Sequence, residues 1–146
     1  MDHLILRVTT KILFAPIIVF ALYVQFHGDY GPGGGFQAGV IFAVAFILHA
    51  LCFGLAETKK ALPERALKVL MVIGVLLYAG TGVATMLLGG NFLGYTEIVP
   101  ESTHHAGQHY GILIVELGVG VAVAATMLVI FYQFAGRDPD IDPEDW

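Results

Sequence analysis

The chain has 146 residues, 57% apolar and 13% charged, with a formal net charge of −5 and a mean hydropathy of +0.77. Soluble domains carry roughly a quarter of their residues as charges, so this composition reads as a membrane protein. Nucleic acid is excluded as a partner because no basic patch with interleaved aromatics is present. One cysteine, Cys52, excludes an intrachain disulfide and a multi-cysteine metal centre.

The first apolar run spans residues 4–26 and carries Arg7 and Lys11 in its first turns. It is too long for a signal-peptide core, and no small-residue cleavage site follows it, so it is expected to be retained. Pro16 is expected to give a mild kink. The stretch HGDYGPGGGFQAG follows from His27 to Gly39, the densest glycine cluster in the chain. A second run covers 36–56, and the short basic connection ETKKALPERALK leads into a third at 66–88. Pro63 stands where a helix can restart at its first turn. A polar stretch with His104, His105 and His109 precedes the fourth run, 110–134, and the acidic tail RDPDIDPEDW closes the sequence. Each run is near the ~20 residues a membrane helix needs, and none has the alternation of a barrel strand. The expected fold is all-α, a bundle of four transmembrane helices within 1–136, followed by a cytoplasmic tail at 137–146.

Charge placement sets the expected orientation. The cations are Arg7, Lys11, Lys59, Lys60, Arg65, Lys68 and Arg137. Four spans put every one of them on the side of the two termini, and none in the opposite loops. By the positive-inside rule both termini are expected in the cytoplasm. Small residues four apart occur at Gly35/Gly39/Ala43, Gly80/Ala84 and Gly118/Ala122. They allow close helix approach in lipid, and together they point to packing against more helices than these four.

Two ionisable residues fall within the apolar runs away from their basic ends, Glu116 and His49. Such groups face a bundle interior or a wet cavity. Each has two readings: ion or proton handling, or a structural hydrogen bond between helices. By helix rise, Glu116 lies roughly 9 Å and His49 roughly 20 Å from the outer ends of their spans, so a direct pair is not expected. His27 and Asp29 could form a titratable, cation-attracting mouth, or belong to a tight turn in which Asp29 caps local N–H groups. In Pro32-Gly33-Gly34-Gly35-Phe36-Gln37-x-Gly39, the glycines offer positive φ and close backbone approach, and Pro32 fixes φ. Three consecutive glycines exceed what a turn needs and are expected to pack on a partner helix or loop. The outer histidines lack an H-E-x-x-H arrangement, and no nucleophile triad or phosphate loop is present. No metal site, cofactor or enzymatic activity is expected.

HGDYGPGGGFQAGVIFAVAFIL closely resembles the signature of the B-subunit family of Mrp (Mnh) multisubunit sodium/proton antiporters. There a His-Gly-x-x-x-Pro-Gly-Gly-Gly-Phe-Gln-x-Gly stretch joins the first two helices. GILIVELGVGVAVAATM, at 111–127, resembles the family's last helix, and Glu116 matches its glutamate. The resemblance covers nearly the whole chain. It implies a multi-pass cell-membrane protein in a cation/proton antiporter with subunits of A, C, D, E, F and G types. It implies an accessory role in assembly, with His27, Asp29, His49 and Glu116 as candidates for part of an ion route. The alternative is a purely structural subunit of a related complex I-like or hydrogenase-type membrane arm.

Overall fold

In lipid every backbone N–H and C=O must be bonded within the chain, and a helix achieves this inside one segment. The computed structural model, which describes residues 4–28, 31–98 and 104–137, is helical throughout its long segments, and the described residues include no strand. Helix α1 runs Leu4–Phe26, α2 Gly35–Phe53, α3 Leu55–Ala61, α4 Glu64–Leu87 and α5 His104–Ala135, with a 3-10 turn at Tyr95–Ile98. Four of these, α1, α2, α4 and α5, are long and apolar enough to cross a bilayer. The all-α expectation of four spans holds. Asp29 and the tail beyond Arg137 lie outside the described residues.

Two boundaries differ from expectation, each for a physical reason. The second run was expected to continue to Ala56, but α2 stops at Phe53 because Gly54 takes a φ of 97°, a conformation glycine adopts without penalty. The charged segment with Glu57, Lys59 and Lys60 then forms its own short helix. The fourth helix starts at His104, well before Tyr110, and has 32 residues. At ~1.5 Å per residue it is roughly 48 Å long, against ~30 Å of hydrocarbon. Its first turns therefore extend past the apolar layer.

In space the long helices lie in the order α1, α2, α5, α4, with α5 between α2 and α4. Small residues create these contacts. A methyl group on Gly74 would stand 2.6 Å from both Ala122 N and Gly118 O, so α4 and α5 meet backbone to backbone. A methyl group on Gly39 would press on Gly120 O in the same way. The stripes at Gly35/Gly39 and Gly118/Ala122 are thus occupied by the chain's own helices, not by additional ones. Gly80, by contrast, meets nothing within 4 Å.

The buried core is Ala43, Leu67, Ala125, Leu128 and Tyr132, from α2, α4 and α5. The Tyr132 hydroxyl donates to Leu62 O at 3.1 Å. That carbonyl precedes Pro63, where the helix is interrupted. Large apolar side chains point outward elsewhere, among them Leu51 (72% exposed), Leu76 (62%) and Leu87 (83%). Such a surface suits hydrocarbon as solvent. The cations gather at one end: Arg7 and Lys11 approach the Phe53 ring, and Lys59 the Tyr132 ring.

Candidate functional site

The glycine loop and Glu116 form one cluster. Gly34 N–H donates to Val24 O at 3.1 Å, folding the loop back on the end of α1. A methyl group on Gly33 would fall 2.8 Å from the same Val24 O. On Gly28 it would collide with both carboxylate oxygens of Glu116, on Gly34 it would stand 3.1 Å from Glu116 Oε1, and on Gly35 it would collide with Glu116 O. Gly28, Gly34 and Gly35 therefore pack on the chain's own α5, and Gly33 on the end of α1. Gly34, with φ 118°, is the N-cap of α2 and has no side chain to cap it. The Glu116 carboxyl group stands at that helix's positive end, where negative charge is favoured. Glu116 is level with the start of α2, beside Gly34 and Gly35. The His27 ring stacks on Tyr23 with centroids 5.0 Å apart and lies beside Gly31. Phe36, which follows the glycines, is 63% exposed and turned outward, and Gln37 is likewise exposed.

His49 belongs to a second cluster at the basic end. Thr58, fully buried, donates its hydroxyl proton to Gly54 O at 3.2 Å, and His49 Nδ1 lies 2.8 Å from Thr58 Oγ1. The one buried hydroxyl thus serves two groups, the Gly54 carbonyl and the imidazole. The imidazole stacks on Phe53 at 4.8 Å and meets Phe14 edge-on at 5.9 Å. Thr10 donates to Cys52 Sγ at 3.1 Å nearby. From Gly35, beside Glu116, to His49 is roughly 21 Å along α2. The two ionisable residues are not brought together, as their levels implied.

Between the clusters runs a cleft of about 290 Å³ lined by Leu22, Gly39, Phe42, Phe46, Ala124 and Leu128, among others. Its polar member is Gln25, 5% exposed, whose Nε2 has no hydrogen-bond partner among the described residues. No three His, Cys, Asp or Glu side chains among the described residues come together as a metal site.

Sequence reasoning missed the fold of the connection between α4 and α5. Buried Thr85 accepts from Leu93 N–H at 3.0 Å and donates to Gly82 O at 2.8 Å. This holds Leu93 at φ 60°. The Phe92 ring lies on Gly82, and the Tyr95 ring on Gly111. Burial raises the Tyr95 phenol above its ordinary pKa. Glycines four apart at Gly107 and Gly111, just before an apolar run, were the available signal.

These features define a multi-pass α-helical protein of the cell membrane whose loop and last helix are locked by backbone contact. A family model described as "Domain related to MnhB subunit of Na+/H+ antiporter" matches residues 5–129, and the chain belongs to that family. It is 34% identical over 136 residues to antiporter subunit mnhB2 of Staphylococcus haemolyticus, covering 92% of this chain and 96% of that one. It is 34% identical over 140 residues to antiporter subunit mnhB2 of Staphylococcus aureus, with the same two coverages.

Proposed function

We propose that this chain is an accessory subunit of a multisubunit sodium/proton antiporter, that it holds the assembly in register, and that it provides no complete ion route of its own. Subunits of the A, C, D, E, F and G types are the partners this reading assigns. The observation that carries it is the separation of the polar clusters. Glu116 and His27 sit at one end and His49 at the other, with the apolar cleft of Phe42, Phe46 and Ala124 between them. A proton or sodium ion crossing roughly 20 Å of such surface would lose its hydration with one side-chain amide, Gln25, to replace it. Glu116 in turn is engaged with the backbone of the glycine loop, which supports a clamp. The chain supplies no covalent chemistry in this reading.

The test is a pair of substitutions. Glu116→Gln keeps the length and an acceptor oxygen and removes the charge, whose worth at a helix N-terminus is about 0.3–1 kcal/mol. Glu116→Asp keeps the charge and withdraws it from Gly34. The expected result is near-normal antiport for Gln and a larger loss of assembly for Asp. Antiport is measured as sodium-induced dissipation of a pH gradient in inverted vesicles, per assembled complex. An assembled Glu116→Gln complex without antiport would overturn the clamp and put the carboxylate in the ion route.

A further inference from the structure

A cavity of about 440 Å³ opens at the basic end, lined by Thr10, Lys11, Phe14, Phe46, His49 and Ala61. Its walls divide by chemistry. Lys11 supplies a cation. Phe14 and Phe46, ring centroids 5.3 Å apart and edge to face, make an apolar floor. The polar groups beside it are already committed, Thr10 to Cys52 and His49 Nδ1 to Thr58.

The charges around it are unbalanced. Lys60 pairs with Glu57 at 2.6 Å and Lys68 with Glu64 at 2.9 Å. Arg7 and Lys11 instead flank the Phe53 ring at 6.0 and 5.7 Å, and neither has a carboxylate partner among the described residues. Two cations on the first turns of a membrane helix lie within reach of the lipid headgroup layer. A basic pocket between helices with an apolar floor matches a lipid that carries a negative headgroup and an acyl chain.

We infer that this cavity binds an anionic phospholipid, with the phosphate against Lys11 and the first part of an acyl chain over Phe14 and Phe46. An occupant of this kind answers both halves of the wall. A free phosphate would leave the aromatic floor bare, and a zwitterionic lipid would leave the cations unbalanced.

Photo-crosslinking of the full chain in its membrane tests this. Matched phosphatidylglycerol and phosphatidylcholine probes, each with a photoreactive group near the top of one acyl chain, are compared by mapping labelled peptides. Phosphatidylglycerol is expected to label the peptides containing Phe14, Phe46 or Ala61 about fivefold more than phosphatidylcholine, the equivalent of about 1 kcal/mol for one cation near an anionic lipid. Lys11→Glu should abolish that preference and Lys11→Arg should keep it. Lys60→Glu, at the same end but outside the cavity, should leave it unchanged. Equal labelling by the two probes in the wild-type chain would overturn the proposal, whatever the variants do. So would undiminished labelling in Lys11→Glu, or crosslinks from this cavity to another polypeptide with no lipid adduct.

Discussion

Gly35 has no room for one carbon, because the site it would occupy is held by the carbonyl oxygen of Glu116. Neither atom can yield by rotating a side chain, since both partners are backbone. Gly35→Ala must therefore push α2 away from α5, at the 1–3 kcal/mol typical of overpacking or more. Reduced thermal stability of the purified protein and weaker recovery of partner subunits are expected, and wild-type melting would contradict the contact. Thr58 presents the opposite case, a buried side chain that satisfies two groups at once. Thr58→Val would leave His49 Nδ1 and one acceptor position of Gly54 O unpaired, a penalty of about 1–3 kcal/mol. Thr58→Ser should restore stability because it keeps the hydroxyl. Equal melting temperatures for the Val and Ser variants would remove the hydroxyl from the network. The glycine run was legible as a site of close approach from sequence, because only glycine tolerates such contact. The identity of the other surface was not, because Glu116 is 81 positions beyond Gly35 in the chain and periodicity carries no long-range pairing.

At the scale of elements, α5 organises the molecule by presenting small residues to two neighbours. Gly118 and Ala122 receive α4, and Gly120 receives α2. Without a hydrophobic force between helices in lipid, such contacts depend on close packing, so each glycine's environment should decide its tolerance. Gly74→Ala places a methyl 2.6 Å from backbone atoms of α5 and should loosen the α4–α5 pair. Gly80→Ala, on the same helix but with open space where its methyl would stand, should be neutral in the isolated chain. Comparing their unfolding midpoints in detergent checks this, and equal losses would mean that the two faces of α4 are misassigned. The i, i+4 spacing marked Gly80 and Gly118 alike. Spacing alone cannot separate a stripe facing a helix from one facing lipid, because both need only low volume. Helix ends were harder to read for a related reason. Gly54 breaks α2 through a torsion, and α5 continues outward through His104–His109, where apolar periodicity has already ended.

For the whole molecule the open quantity is its direction in the membrane. The end that gathers Arg7, Lys11, Lys59, Lys60, Arg65, Lys68 and Arg137 is defined by the fold: α1 starts there, α2 ends there, α3 and the start of α4 lie there, and α5 finishes there. The opposite connections contain no Lys or Arg. Loops that carry cations are held on the cytoplasmic side during insertion, so this end should face the cytoplasm. Hydropathy made the four spans legible because each crossing needs its own apolar length. Direction was legible only through charge, since apolar helices have no preferred sense. Single cysteines in a Cys52→Ser background make the orientation measurable. Serine keeps an acceptor for the Thr10 hydroxyl that now meets Cys52 Sγ at 3.1 Å, so the background should fold as wild type. A cysteine at Gly89, where a side chain meets open space, carries the one extra cost of its left-handed φ of 93°. Asn91→Cys, two residues further on, avoids that strain and reports the same connection. In intact cells an impermeant maleimide should label the Asn91 site and leave a cysteine at Lys60 unlabelled until the membrane is opened. Labelling of the Lys60 site from outside, with the Asn91 site protected, would invert the protein. It would also place the Lys11 cavity in the outer leaflet.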